Sequence, residues 1–159
     1  MKKILIAMLF YSFSITVTNA QTAAKSVYVE LGGPGVASVN FDTRFSKSES
    51  GLGGRIGIGG FKAEDIGLLT VPVGLNYLLG KDHKNYFEIG AGFTYVHASV
   101  SADGAEEDGT FDESFGHLTF GYRLQPANGG FTFRAAIVPV FNKTGFIPYY
   151  AGISFGYKF

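Results

Sequence analysis

The chain has 159 residues, with 23 Gly, 16 Phe, 9 Tyr and no Cys, one domain's worth of material rich in aromatics and in the smallest side chain. Thirteen basic residues balance thirteen acidic ones, so no net field favours nucleic acid, and the charged share of 16% lies below the roughly 25% of an ordinary soluble domain. The missing cysteines exclude a disulfide framework, a thiolate metal or redox site, and attachment of a lipid through sulfur.

Lys2 and Lys3 precede an apolar run from Ile4 to about Val17, which ends at Thr18-Asn19-Ala20. A basic start, an apolar middle and small residues before a cut predict a secretory signal peptide over residues 1–20, with 21–159 as the mature domain. The apolar run is broken by Ser12, Ser14 and Thr16 and is short for a helix that needs roughly 20 residues to span a bilayer. A mature chain in a membrane therefore has to cross as strands.

After the cut, Val27, Val29 and Leu31 alternate with Tyr28 and Glu30, the period of a strand with two unlike faces. Gly32-Gly33-Pro34-Gly35 turns the chain. Val39, Phe41, Thr43 and Phe45 then oppose Asn40, Asp42 and Arg44, and a polar turn over 46–51 leads to Leu52, Ile56 and Ile58 opposite Gly53, Arg55, Gly57 and Gly59. The fourth segment sets Leu69, Val71, Val73, Leu75 and Tyr77 against Thr70, Pro72, Gly74 and Asn76. Following the turn 80–85, the fifth sets Phe87, Ile89, Ala91, Phe93 and Tyr95 against Glu88, Gly90, Gly92 and Thr94. Residues Ser99 to Ser114 read as the longest irregular stretch, an acidic loop carrying Asp103, Glu106, Glu107, Asp108, Asp112 and Glu113 and no base. Leu118, Phe120, Tyr122 and Leu124 then oppose His117, Thr119 and Arg123; Pro126 to Gly130 is a strong turn signal; Phe131, Phe133, Ala135 and Ile137 oppose Thr132 and Arg134. The closing segment places Ala151, Ile153, Phe155, Tyr157 and Phe159 on one face and Gly152, Ser154, Gly156 and Lys158 on the other. Pro72 and Pro139 remove ladder donors and predict bulges or shortened strands.

Alternating segments near the length of a tilted membrane strand, with no helical period, predict an all-β fold, an eight-stranded antiparallel up-and-down transmembrane β-barrel. An even strand count returns both termini to the periplasmic side, which puts the connections around Gly33, Glu64, 103–113 and Lys143 on the exterior. Aromatics at the strand ends, Phe45, Tyr77, Tyr86, Tyr122, Phe131, Tyr157 and Phe159 on one side and Tyr95, Phe141 and Tyr149 on the other, predict interfacial girdles. The apolar face is almost wholly Val, Ile, Leu, Phe, Tyr and Ala, while the other collects Glu30, Asp42, Arg44, Arg55, Glu88, Arg123, Arg134 and Lys158 among glycines. A soluble barrel would have the reverse polarity. Charges of both signs inside a narrow barrel have to pair, so these eight residues are the expected lumen salt-bridge network, a plug with no open pore.

Three further patterns bear on chemistry. His97-Ala98-Ser99 lies at the exterior end of the fifth strand, where the acidic loop could orient the imidazole to activate Ser99. The loop lacks the D-x-D-x-D-G spacing of a calcium site, and His83 and His117 belong to opposite ends of the barrel, so no metal or cofactor is expected. Gly51, Gly53 and Gly57 approximate a nucleotide fingerprint but no helix follows to receive a phosphate.

Over its mature length the chain resembles small eight-stranded outer-membrane barrels of the OmpX, OmpW and OmpA-transmembrane type, on the strand pattern and on the closing strand. That resemblance implies a monomeric, non-enzymatic barrel in the bacterial outer membrane, contacting lipid and lipopolysaccharide, with Phe155, Tyr157 and Phe159 as the signal read by the barrel assembly machinery. It implies a structural or surface-interaction role, with a ligand for the stretch Ser99 to Ser114, or alternatively a small channel for small hydrophobic solutes. The triplet His97-Ala98-Ser99 resembles the His-x-Ser pair of PagL-like lipid A deacylases, which implies His97 and Ser99 as catalytic candidates.

Overall fold

A computed structural model describes residues 23–63, 66–100 and 109–159. The expected leader and Asp103, Glu106, Glu107 and Asp108 lie outside the described residues. Within them the chain forms ten strands and no helix: β1 (Lys25–Gly32), β2 (Ala37–Arg44), β3 (Gly51–Ala63), β4 (Ile66–Leu79), β5 (Asn85–Val100), β6 (Gly109–Leu124), β7 (Gly130–Ile137), β8 (Val140–Phe141), β9 (Phe146–Ile147) and β10 (Ala151–Lys158). Each long strand pairs antiparallel with its sequence neighbour, β10 lies between β7 and β1, and the β5–β6 pairing completes the ring. β8 continues the wall of β7 and β9 that of β10, so the ten pieces form a closed eight-stranded barrel. Closure gives most backbone donors and acceptors a partner without help from solvent.

The period of two sorts the side chains by face. Val29, Ile56, Phe93, Phe120 and Phe155 are exposed on the outside, whereas Asp42, Glu88 and Arg123 keep only 1% of their surface on the inside. The buried side of the long strands is mostly small or polar, with Tyr28, Leu78 and Tyr86 as the large exceptions, and the exposed side is mostly apolar. In an aqueous protein such an arrangement would strand oil in water and ions in the core.

Both termini and the turns 45–50, 80–84 and 125–129 lie at one end of the barrel, and the turns 33–36 and 142–145 at the other. At this second end the rim is uneven. The β1–β2 hairpin closes at Gly33–Val36, and Ser38 pairs with Gly59, after which β3 continues to Ala63 beside β4. β5 and β6 stay paired to Val100↔Gly109, while β6 meets β8 for the last time at Gly116↔Phe141. Half of the wall, β3 to β6, therefore rises past the other half.

Three expectations are corrected here. The stretch from Ser99 to Ser114 is not one irregular loop: residues 99–100 belong to β5 and 109–114 to β6, because the alternation of Val96, Ala98 and Val100 continues the ladder past the point where the outward face turns polar. Tyr86 is not in a girdle but is buried inside the barrel, since it shares the parity of Glu88. Pro72 makes no bulge: the β3–β4 ladder is interrupted opposite Gly57 and Ile58, and the same register resumes on both sides. Pro139, by contrast, goes with a shortened strand as expected: β7 stops at Ile137 and β8 resumes at Val140 in the same register against β6, while the Pro139 carbonyl accepts from the Leu118 amide at 2.9 Å. The slip of one residue occurs instead between Ile147 and Ala151, where β9 and β10 meet the β7–β8 wall in different registers.

Candidate functional site

The inward positions converge on a chain of ion pairs across the lumen. Arg44 donates to Asp42 at 2.7 Å, and Arg123 to the same carboxylate at 2.8 Å. Arg123 also approaches Glu88 at 3.6 Å; Glu88 pairs with Arg134 at 2.5 Å; Arg134 reaches Glu30 at 3.5 Å; Glu30 accepts from Arg55 at 3.2 Å. The order Arg44, Asp42, Arg123, Glu88, Arg134, Glu30, Arg55 alternates in sign and links β2, β6, β5, β7, β1 and β3. Each carboxylate stands between two guanidiniums, which offsets the several kcal/mol that burying an isolated charge costs. The spare donors of Arg44 go to the Gly51 carbonyl and to Asn76, while Arg134 lies over the Tyr28 ring at 4.6 Å.

Glycines make room for these long side chains. A Cβ at Gly53 would collide with the Arg44 guanidinium, and one at Gly57 with the Asn40 amide. At Gly33, with φ +66°, the backbone itself demands glycine, and a side chain there would run into the Glu30 carboxylate.

Seven of the eight residues expected in the lumen network are thus brought together. Lys158 is the exception: one residue from the terminus, it lies below the ladder, pairs with Glu49 of the β2–β3 turn at 2.6 Å and donates to the carbonyls of Pro126 and Ala127. Gln125 reaches the same Glu49 at 3.3 Å. Sequence reading missed Glu49, Tyr28 and Gln125 as partners, and it placed Asn76 on the inward face without joining it to the network. The parity of Tyr28, Asn76 and Gln125 was the available signal; Glu49 sits in a turn and carried none. Above the ladder the inner wall holds Thr70, Thr94 and His117, and the far end is stopped by the buried Pro34 and Val138.

His97 and Ser99 lie outside this lumen, on the outward face of the rising β5–β6 hairpin. His97 Nδ1 is 2.7 Å from Asp112 Oδ1 on the neighbouring strand, and the Tyr95 hydroxyl donates to the same oxygen at 2.6 Å. The hydrogen bond from Tyr95, then that from His97, holds the Asp112 carboxyl below the usual carboxylate range. An ionised carboxylate only accepts, so Nδ1 donates its proton in this pair. Ser99 is the next outward residue, and its hydroxyl leans over Gly67 of β4, where a Cβ would come within 2.6 Å of it. His97, Ser99 and Lys62 border an open groove of about 610 Å³ whose remaining wall includes Val29, Leu31, Ile58 and Leu69. Asp112, assigned from sequence to a solvated loop, became a partner of His97 only when β5 and β6 were seen to continue past it. Among the described residues no cluster of three or more metal-ligating side chains occurs.

On β10, Phe155 packs against Phe133 and Phe131 with ring centroids 5.4 and 6.4 Å apart, and Tyr157 and Phe159 are exposed.

No protein-family model and no curated protein matches the chain. Its fold is that of small outer-membrane β-barrels. The N-terminal β-barrel domain of Pseudomonas aeruginosa OprF superposes with a TM-score of 0.63 at 10% identity, covering 86% of this chain and 96% of that one. The attachment invasion locus protein Ail of Yersinia pestis, solved with the heparin analogue sucrose octasulfate, superposes with a TM-score of 0.51 at 11% identity, covering 86% and 94%.

Proposed function

We propose that this chain is an outer-membrane barrel, exported by its N-terminal signal and inserted through the closing strand Phe155, Tyr157 and Phe159, whose lumen is sealed and whose role is carried by its outer surface. The observation that supports a seal is the seven-residue ladder of ion pairs across the lumen, between the Lys158–Glu49 pair at one end and the buried Pro34 at the other. Eight strands enclose room only for packed side chains, and here those side chains are tied to one another. The role is then structural or adhesive, as a monomer in contact with lipid and lipopolysaccharide, and without turnover.

Planar-bilayer recording tests the seal. The reconstituted barrel is expected to give no stepwise current, and removing both partners of the central pair, Glu88→Ala with Arg134→Ala, to introduce it. Current steps from the unaltered protein would support the alternative, a small channel for small hydrophobic solutes, and end the reading of a plugged lumen.

A second reading is favoured by the Asp112–His97 hydrogen bond: Ser99, His97 and Asp112 act as a PagL-like lipid A deacylase at the rim. Ser99 would attack the ester carbonyl while Nε2 takes its proton; the C–O ester bond would break, the lipid A hydroxyl leaving with that proton, and water would then hydrolyse the acyl-serine, releasing the fatty acid and restoring Ser99. Expression of the chain would lower lipid A mass by one acyl chain, and Ser99→Ala or His97→Ala would restore it. Unchanged lipid A mass leaves the non-catalytic reading in place.

A further inference from the structure

We propose that Lys158, the last lumen-facing residue of the closing strand, fixes the register in which β10 meets β1, and with that register the width of the barrel. Its carboxylate partner, Glu49, stands in the β2–β3 turn, so the lock ties the end of the chain to its N-terminal third.

Every other neighbouring pair in the wall is joined as a hairpin, and a hairpin's register is set by its own turn. β1 and β10 come from opposite ends of the chain and share no turn. Their pairing therefore decides the stagger of the closed ring, and in a barrel of given strand number stagger and bore are linked. Alternation forbids a slip of one residue, which would send every side chain to the wrong face, but it does not forbid a slip of two. On the outside, Val27, Val29 and Leu31 meet Tyr157, Phe155 and Ile153, and one apolar side chain can stand in for the next. On the inside, β10 offers Gly152, Ser154 and Gly156 before it reaches Lys158. Gly156 gives room to Tyr28, where a Cβ would come within 2.4 Å of the tyrosine Cβ. The one inward charge of the strand is Lys158.

The ion-pair ladder crosses the same seam, at Arg134–Glu30 and Arg123–Asp42, but neither link is exclusive. Arg134 and Arg123 both keep Glu88 on their own side of it, while Glu30 keeps Arg55 and Asp42 keeps Arg44 on the other. Lys158 has no such reserve. Glu49 is its one carboxylate partner among the described residues, and its remaining contacts are the Pro126 and Ala127 carbonyls of the β6–β7 turn. Gln125 holds Glu49 in place by donating to its carboxylate at 3.3 Å. A slip of two residues moves the Lys158 backbone by roughly 7 Å. Toward the Gly33 end, Lys158 would enter the rung of Tyr28, whose ring already carries the Arg134 guanidinium at 4.6 Å, and cation would meet cation. Toward the termini, it would pass the end of β1 and leave Glu49, and Ser154 would replace Gly156 against Tyr28. A single buried polar contact specifies register where an apolar face cannot.

The chain has no cysteine, so paired cysteines read the register directly. Val29→Cys is combined with Phe155→Cys, its opposite number, or with Ile153→Cys or Tyr157→Cys, which come to face it only after a slip of two. Directly opposed Cβ atoms are about 4.5–5.5 Å apart, and diagonal neighbours are too far for the roughly 3.5–4.5 Å that a disulfide spans. The chain is refolded from urea into lipid vesicles and oxidised, and the linked fraction is read on a non-reducing gel. With Lys158 present, the 29/155 pair alone is expected to link. With Lys158→Met, links at 29/153 or 29/157 are expected to appear at the expense of 29/155. Adding Glu49→Met removes both charges. The slipped links are then expected to persist while the urea midpoint recovers, which separates register from the cost of a lone buried charge. Slipped links in the chain that keeps Lys158, or a Lys158→Met barrel linked at 29/155 only, would overturn the lock. If Lys158→Met does not insert, Glu49→Gln takes its place: slipped links support the lock and their absence overturns it.

Discussion

Glu88 shows how strongly one inward side chain is constrained. Its carboxylate is 1% exposed and lies between Arg134 and Arg123, so Glu88→Gln leaves two buried guanidiniums without their shared counter-charge. Breaking one side of a buried pair costs about 3–5 kcal/mol, and the urea midpoint of unfolding from lipid vesicles is expected to fall accordingly. An unchanged midpoint would mean that water already solvates the ladder. Space is as tight as charge: a Cβ at Gly92 would collide with the Val73 carbonyl and sit 2.8 Å from His117 Nε2, whereas one at Gly145 meets open space. Gly92→Ala is therefore expected to destabilise by about 1–3 kcal/mol and Gly145→Ala by less than about 0.5 kcal/mol, measured in the same urea titration. At this scale the sequence was informative about which residues turn inward, since parity alone separates Arg55 from Ile56. It could not say who pairs with whom. Asp42 and Arg123 lie 81 positions apart, and their meeting depends on the stagger between strands, as does the capture of Lys158 by Glu49.

Among the elements, the short turns are built by side chains that hold the chain in place. In the β4–β5 turn, the Asp82 carboxylate accepts from the Asn85 side-chain amide and from the backbone amides of Asn85 and Lys84, and these bonds hold its pKa below the ordinary carboxylate value. A group whose folded pKa is lowered adds stability above its unfolded value and loses it as pH falls through the folded one. Hydrogen exchange at the Asn85 amide, corrected for the intrinsic pH dependence, is expected to lose protection as the pH drops through that range, and Asp82→Ala to show the reduced protection at every pH. Pro126-Ala127-Asn128-Gly129-Gly130 and Gly80 to Asn85 were legible as turns because their residue types require it. The β5–β6 hairpin was not. Its acidic residues read as solvated loop, and charge says that a segment lies in water without saying whether it leaves the ladder. The rising half of the wall, and with it the Asp112–His97 bond, followed from cross-strand pairing that no local pattern encodes.

For the molecule as a whole, the determining feature is the exchange of inside and outside. The outer surface presents Val27, Val29, Leu31, Ile56, Phe93, Phe120 and Phe155 to whatever surrounds the barrel, and the interior holds four arginines against three carboxylates in one chain of contacts. A bilayer makes that exchange stable, because it receives the apolar face and leaves the closed ladder as the only way to satisfy the backbone. This was the most legible property of all, repeated on every long strand. The natural absence of cysteine makes the direct test simple: a nitroxide placed through a single cysteine at Val29, Phe93, Phe120 or Phe155 of the reconstituted barrel, with collision rates measured against membrane-dissolved oxygen and a water-soluble nickel chelate. Oxygen is expected to dominate at all four positions; labels shielded from both reagents, or reached mainly by the chelate, would contradict a lipid-facing outer wall.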